Sequence, residues 1–226
     1  MKLENYQDFL TALRECGFSM GGANAKGVFS LLADCPEDSP IRWHTEDPDT
    51  DPWEWRMRVL AEQDDIAYAK LFFRTSGYIT KTWYPYFFAV RRAGASFWEV
   101  YERGTVSSEA KRIYEVVVRE GQVPLHELKR LGGFSKEENS RFERALVELQ
   151  MKLFITMCGS SQKLDRYGLG YGWKSTAFCT VEEFWAQRKV VLPDIDPSAA
   201  YEAIKTQIWK LNPEAEEKAV ERFIRG

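Results

Sequence analysis

The sequence predicts a mainly α-helical α+β fold, and three observations support this prediction. Apolar residues recur at helical spacing along much of the chain, for example over residues 107–117. Asp-Pro and Asn-Pro pairs, which are typical of the first turn of a helix, begin at Asp51, Asp196 and Asn212. Two β-rich runs flank the polar, glycine-rich loop 159–172, which favours a small hairpin added to the helical chain.

The composition is that of a soluble globular protein with one large domain or two small ones. The chain has 226 residues, of which 44% are hydrophobic and 29% charged. The formal net charge is −3, so any nucleic-acid surface must be a local patch. No apolar run approaches the roughly 20 residues that span a bilayer, and the first residues do not resemble a secretory signal. We therefore expect a cytoplasmic protein without a membrane partner.

Residues 1–104 are the first predicted domain, which is helical and rich in aromatic residues. Amphipathic or aromatic patterns predict helices over 3–16, 51–77 and 80–94. The glycine-rich loop 17–27 lacks the G-x-G-x-x-G and G-K-[ST] patterns of phosphate-binding loops. This loop is therefore interpreted as a linker.

Residues 105–180 are the second predicted domain, and their pattern is that of a winged helix-turn-helix. The predicted order is a helix after Ser107, a short helix, a two-glycine turn, a third helix and then the two β-rich runs. We expect the two β-rich runs to pair as a hairpin, and the loop between them is the wing. Ser135 and Glu138 match a capping box at the start of the third helix. Residues 181–226 are the third predicted domain, a C-terminal helical extension that flanks the winged helix.

The second predicted domain carries the basic charge of the chain. Residues 107–180 contain 12 Lys and Arg against 9 Asp and Glu, a net of +3. Residues 1–106 contain 12 against 16, and residues 181–226 contain 7 against 9, so both are acidic. Contact with duplex DNA is therefore expected within 107–180.

Seven polar residues of this domain are the candidate nucleic-acid contacts. The third helix of such a module enters the major groove, and its wing follows the backbone. Asn and Arg suit base edges, whereas Ser and Lys suit phosphates. The candidates are Lys136, Asn139, Ser140 and Arg144 on the third helix and Lys163, Arg166 and Lys174 in the wing. Four glutamates in the same helix are unfavourable beside phosphates, which leaves a protein partner as an alternative.

The acidic stretch EDPDTDPWEW has a structural and a catalytic interpretation. Asp47, Asp49 and Asp51 alternate like the first ligands of a calcium loop, but Pro52 and Arg58 replace the Gly and the Glu that such a loop needs. Asp51 is better explained as a helix N-cap with Pro52 in the first turn. The alternative is that Asp49 or Asp51 is a catalytic carboxylate that polarises a water molecule beside a base stacked on the neighbouring tryptophans.

The cysteines and histidines do not indicate a metal site. The chain has four cysteines without a C-x-x-C pair and two isolated histidines. We therefore expect neither a metal nor a cofactor.

The stretches EDPDTDPWEWR and TWYPYFFAVRR, together with the helix and hairpin order of 105–180, resemble the AlkZ-related proteins of the AlkZ/YcaQ-type DNA glycosylase superfamily. The resemblance implies a winged-helix fold and a connection with DNA repair. Glycosylases of that superfamily carry a Gln-x-Gln motif that positions a water molecule, and this sequence has no Gln-x-Gln. The resemblance therefore implies the fold but not the catalytic residues.

These observations favour a winged-helix protein that binds DNA and recognises damaged or distorted duplexes without catalysis. Two alternatives stay open: a glycosylase-like enzyme with unconventional catalytic carboxylates, and a protein-interaction or scaffold protein. The sequence does not decide whether the protein is an enzyme, nor its oligomeric state.

Overall fold

The computed structural model shows an α+β architecture with two small antiparallel sheets, which confirms the α+β class predicted from the sequence. It describes residues 3–24, 26–33, 35–36, 38–164, 167 and 169–226, without the side chains of Lys163, Leu164, Tyr171 and Trp173. Within these ranges, no helix combines the length and the apolar character needed to cross a membrane.

The elements are numbered along the chain. The helices are α1 (Tyr6–Cys16), α2 (Pro52–Glu62), α3 (Tyr84–Arg92), α4 (Phe97–Glu102), α5 (Ser108–Glu120), α6 (Leu125–Leu131), α7 (Asn139–Met151), α8 (Val181–Gln187), α9 (Pro197–Leu211) and α10 (Glu217–Arg225). The strands are β1 (Phe18–Met20), β2 (Ile66–Phe72), β3 (Thr75–Thr80), β4 (Val123–Pro124), β5 (Ile155–Leu164) and β6 (Gly170–Thr180).

Packing groups these elements into two compact units. The first unit contains Met1–Gly94 together with Leu192–Gly226, and the second contains Ala95–Val191. Each unit holds one sheet, with strand order β1-β3-β2 in the first and β4-β6-β5 in the second. The three-domain division at 104/105 and 180/181 stays a prediction, because packing alone does not show which segments fold independently.

The helix predicted over 51–77 is shorter than expected. It ends at Glu62, and Ile66–Phe72 and Thr75–Thr80 form the β2–β3 hairpin. β2 is buried on both faces along most of its length, so its apolar residues form a continuous run without the alternation that marks a half-exposed strand. Gly77 lies inside β3 and does not end a helix: a Cβ atom there would come within 2.4 Å of the Phe72 ring.

The core of the first unit is aromatic. The Phe9 ring of α1 stacks on Trp55 of α2, with 5.0 Å between ring centroids, and meets Tyr78 of β3 edge-on at 5.1 Å. All three side chains are fully buried. Because each ring comes from a different element, these contacts hold both helices against the sheet.

The C-terminal helix α10 packs into the same unit. Phe223 stacks on Phe72, with 3.9 Å between ring centroids and 5° between ring planes. The guanidinium of Arg91 in α3 donates to the carbonyl oxygens of Phe223, Ile224 and Leu71 at 2.7, 2.9 and 2.8 Å. Burial lowers the pKa of Arg91, but the guanidinium stays charged at neutral pH and supplies donors to helix-terminal carbonyls that have no partner inside the helix.

One of the three Asp-Pro and Asn-Pro pairs that were expected to begin a helix does not begin one. Asp51 and Asp196 are N-caps as predicted, whereas Asn212 is the C-cap of α9 and α10 begins only at Glu217. The Asn212 amide instead donates to the carbonyl oxygens of Gly27 and Val28, both at 2.9 Å. The side chain therefore ties the end of α9 to the glycine-rich segment.

The second unit contains the five helices α4 to α8, and the β5–β6 hairpin follows α5, α6 and α7 along the chain. β6 lies between β4 and β5 and is antiparallel to both, with Val123 opposite Phe178 and Ile155 opposite Thr180. α7 begins at Asn139, later than the predicted capping box implied. The Glu138 carboxylate does accept from the Ser135 N–H at 2.9 Å, but α7 has no side-chain cap.

Asp51 is a buried helix cap that also organises the loop before it. Its Oδ1 accepts from the Trp53 N–H at 2.8 Å, and its Oδ2 accepts from the N–H groups of Thr45 and Glu46 at 2.8 and 3.1 Å. The residue is fully buried. Glu46 has a φ of 63°, a conformation that costs energy outside glycine, so the carboxylate holds a strained turn in place.

The Asp51 carboxylate should stabilise the fold much more than the nearby Asp49 carboxylate. Replacing Asp51 by Asn directs an NH₂ group at backbone donors, so we expect the free energy of unfolding to fall by about 1–3 kcal/mol. The matched control Asp49→Asn removes the charge of a side chain that is 68% exposed and should change this free energy by less than about 0.5 kcal/mol. Urea denaturation at pH 7 measures both, and equal effects would contradict the assignment.

The same carboxylate should give the stability a defined pH dependence. Burial alone would raise the pKa of Asp51, but four backbone N–H donors outweigh it and lower the pKa in the folded chain. The contribution of Asp51 is therefore complete above its unfolded pKa of about 3.9 and is lost as the pH falls through the lower folded pKa. The stability difference between the wild type and Asp51→Asn should stay constant from about pH 5 to 8 and shrink in acid, as urea denaturation across pH would show.

Candidate nucleic-acid interface

The exposed face of α7 carries three of the predicted contacts. Asn139, Ser140 and Arg144 are all exposed, while the opposite side of the helix is buried. Positions 140 and 144 are one turn apart, so the Ser140 and Arg144 side chains lie on one face. Lys136 is exposed in the turn before α7, and its carbonyl oxygen accepts from the Asn139 N–H at 3.2 Å.

The turn between α6 and α7 is held by an arginine from α5. The Arg112 guanidinium donates to the carbonyl oxygens of Gly132 at 2.9 Å and Gly133 at 2.7 Å, and pairs with the Glu138 carboxylate at 2.6 Å. It also lies 4.0 Å above the Phe134 ring centroid. The hydrogen bond from Arg112 lowers the pKa of Glu138, and the Ser135 N–H adds to this effect. Arg112 therefore sets the angle at which α7 leaves the turn.

Asn139 is already engaged by a neighbouring lysine. The Lys129 ammonium of α6 donates to the Asn139 Oδ1 and lies 5.3 Å from the Phe142 ring centroid. A bidentate contact between Asn139 and adenine needs that oxygen to be free. In this arrangement, Lys129 adds a cation beside the start of α7, and Asn139 is not ready to read a base.

The acidic residues of the third-helix segment divide into two groups. Glu138 binds Arg112, and Glu148 accepts a hydrogen bond from the Ser107 hydroxyl at 2.8 Å. Glu137 and Glu143 are exposed. One of the four carboxylates, Glu138, is therefore neutralised by a cation, so the net negative charge of the segment is smaller than the sequence count implies.

The hairpin supplies one candidate whose side chain is described. Lys174 is exposed and lies where residues 172–174 of β6 face Gln162 alone, an irregularity in the pairing of the two strands. Extra residues on one strand leave the regular ladder and change the local twist. The backbone of Lys163 pairs in β5, while its side chain and the whole of Arg166 lie outside the described residues. The structure thus groups Ser140 and Arg144 on one face of α7, leaves Asn139 exposed at the start of that helix, and places Lys174 on the hairpin.

The two candidate catalytic carboxylates lie in the first unit, in different surroundings. Both oxygens of Asp51 accept backbone N–H groups. Asp49 is mostly exposed and lies 3.4 Å from Arg58. Trp55, one of the tryptophans considered for base stacking, is fully buried in the core.

Arg112 and Lys129 are the site residues that sequence reasoning missed. Both belong to helices whose surface lysines and arginines look alike in the sequence, and only the fold shows which ones reach the start of α7. The one hint in the sequence was the two-glycine turn, whose backbone carbonyl groups need a hydrogen-bond donor. Among the described residues, no group of three or more His, Cys, Asp or Glu side chains is arranged to hold a metal ion.

Comparison with known proteins gives one match. A family model described as AlkZ related matches residues 3–225, which confirms the resemblance drawn from the sequence. No curated protein and no solved structure matches the chain. Since the match covers nearly the whole chain, this protein belongs to the AlkZ-related family.

Proposed function

We propose that the protein binds duplex DNA through a winged helix-turn-helix in its second unit, in a role connected with DNA repair. The element order α5, β4, α6, α7, β5, β6 with sheet order β4-β6-β5 carries this proposal. In this interpretation α7 is the helix that enters the major groove, and the β5–β6 hairpin is the wing. Membership of the AlkZ-related family supports a DNA-repair role.

The distribution of charge supports contact with the DNA backbone. Lys136, Arg144 and Lys174 are exposed, and no salt bridge occupies any of them among the described residues. Arg141, by contrast, points to Glu109 of α5 at 3.6 Å. Since each neutralised phosphate releases counterions, three free cations give an affinity that falls steeply with salt.

The state of Asn139 favours recognition of DNA shape over recognition of sequence. Its Oδ1 accepts from Lys129, so reading adenine would first break that contact. Ser140 and the lysines suit phosphates, which leaves Arg144, among the described candidates, as the one remaining side chain suited to a base edge. A surface of this kind suits distorted or damaged duplexes, because such duplexes cost less energy to deform into the bound shape.

The geometry does not favour catalysis by the carboxylates of the acidic stretch. A general base needs a free oxygen within reach of its water, and Asp51 uses both of its oxygens on backbone donors. Asp49 is exposed on the surface, beside Arg58. We therefore propose binding without catalysis by these residues. The next experiment distinguishes DNA binding from a protein-binding role of the second unit.

The full-length protein should bind a fluorescein-labelled 20-base-pair duplex, and more tightly when the duplex contains a mismatch or an alkylated base. Fluorescence anisotropy at about 50 and 200 mM salt should show an affinity loss of roughly tenfold or more, because a few phosphate contacts are broken. Absence of binding at low salt, or binding that is indifferent to salt, would count against the proposal and favour a protein partner.

On α7 and the hairpin, substitutions that replace a cation by a carboxylate should weaken duplex binding, and removal of a carboxylate should strengthen it. Arg144→Glu and Lys174→Glu should each weaken duplex binding by at least about 1 kcal/mol and lower the salt slope. Glu143→Gln should strengthen binding, because it removes a carboxylate from the same exposed face. The control Lys210→Glu changes the net charge equally but lies on α9 in the first unit. If the control weakens binding as much as Arg144→Glu, the contact surface is not α7.

Arg112→Lys should show that this residue positions α7. Lysine keeps the charge but lacks the planar fork that binds two carbonyl groups and a carboxylate, so the free energy of unfolding should fall by about 1–2 kcal/mol. Duplex affinity should fall while the salt slope stays unchanged. A smaller salt slope would instead show that Arg112 itself contacts phosphate.

A further inference from the structure

The glycine-rich segment is not a free linker, because several hydrogen bonds hold it against the first unit. β1 occupies Phe18–Met20 and pairs with β3, and the Gly21 N–H donates to the Ser76 carbonyl at 2.8 Å. The Ser30 hydroxyl donates to the Gly22 carbonyl, and Asn212 binds the carbonyls at the end of the segment. Because hydrogen bonds fix both ends of this segment, it forms one wall of the clefts beside it.

Two adjoining clefts open beside the glycine-rich segment. Their volumes are about 350 and 420 Å³, and they share Lys26 and Phe73, so we treat them as one Phe73 cleft. One end is lined by Gly21, Gly22 and Thr75, among others. The other end is lined by Gly27, Glu214, Glu216, Lys218, Ala219 and Arg222. All of these residues belong to the first unit.

Phe73, at the centre of the cleft, is held in a strained conformation. Phe73 and Arg74 form the β2–β3 turn with φ values of 49° and 66°. Such two-residue turns favour Asn and Gly, and a bulky aromatic residue there is a genuine outlier. The ring is only half-buried. The ring lies 6.0 Å from the Phe223 ring centroid and keeps part of its surface open to the cleft. Strained residues of this kind concentrate at binding sites, which favours a binding role for the open part of the ring.

The cleft places cations beside this ring. Lys218 and Arg222 are one turn apart on α10, and the Arg222 guanidinium lies 5.8 Å from the Phe73 ring centroid. With Lys26, the cleft has three cations against Glu214 and Glu216. None of the three cations forms a salt bridge within the part of the chain that the structure describes. The cleft is therefore positive and has an aromatic surface.

We propose that the Phe73 cleft binds the phosphate and base of a nucleotide, with the base against the Phe73 ring and the phosphate between Lys218, Arg222 and Lys26. Aromatic rings beside cations are the combination that binds unstacked nucleotides without sequence preference. An acidic peptide would use the cations but not the ring. The cleft is open, so both a mononucleotide and a single strand fit this chemistry. The proposal does not depend on the winged helix, which lies in the second unit.

Fluorescence anisotropy of labelled decathymidylate with the full-length protein, with unlabelled AMP as competitor, tests the proposal. To exclude binding by the second unit, the titration uses the Arg144→Glu, Lys174→Glu double variant. We expect saturable, salt-sensitive binding. Displacement by AMP identifies a mononucleotide site, and lack of displacement identifies a single-strand site. No binding of decathymidylate together with no heat of AMP binding by calorimetry, or equal competition by poly-glutamate, would overturn the proposal.

Substitution of Phe73 separates binding from folding. Phe73→Gly suits the left-handed turn, so thermal unfolding should occur at the same temperature as in the wild type or higher, while affinity falls at least tenfold. Phe73→Tyr should retain the affinity. Lys218→Glu should also weaken binding at least tenfold, whereas the control Arg225→Glu, which lies on the same helix outside the cleft, should not. Full affinity in Phe73→Gly would disprove stacking on this ring.

Discussion

The arrangement of the first unit depends on one guanidinium that binds backbone carbonyls. Arg91 of α3 donates to carbonyl oxygens of β2 and of the last turn of α10, so three elements that are distant in sequence meet at a single side chain. The last carbonyls of a helix have no partners inside it, and burying them unpaired would cost the full desolvation penalty. Because Arg91 satisfies them, α10 can pack its Phe223 ring on Phe72. In this position α10 supplies Lys218, Ala219 and Arg222 to one end of the Phe73 cleft.

A second arginine has the same role in the other unit. Arg112 satisfies the carbonyl groups of the two-glycine turn and neutralises Glu138. Both arginines contribute to the charge count of the sequence, yet neither offers its charge to a partner on the surface. The net charge of a segment therefore locates a candidate interface but does not measure its strength. The same ion pair removes the charge of Glu138 from the acidic count of the α7 segment.

The sequence predicted the helices whose start signals are local. Asp51, Ser107 and Asp196 cap helices as expected, since a cap depends on residues within one turn. The common face of Ser140 and Arg144 also followed from helical periodicity. The β2–β3 hairpin could not be predicted, because a strand buried on both faces lacks alternation and its turn contains Phe73 and Arg74 where glycine is usual. The contacts of Arg112 with the turn and of Lys129 with Asn139 depend on tertiary packing, so neither has a signature in the sequence.

The irregular pairing in the second hairpin has a consequence for variation among relatives. In the inner part of the hairpin, residues 155–161 of β5 pair with residues 175–180 of β6, with one irregularity after Met157. The strand β4 pairs with β6 only at Ala177 and Phe178. Beyond the irregularity at Gln162, the ladder starts again in a new register. The outer segment can therefore gain or lose residues without disturbing the hydrophobic interior. The length of the loop between β5 and β6 is therefore decoupled from the stability of the inner ladder.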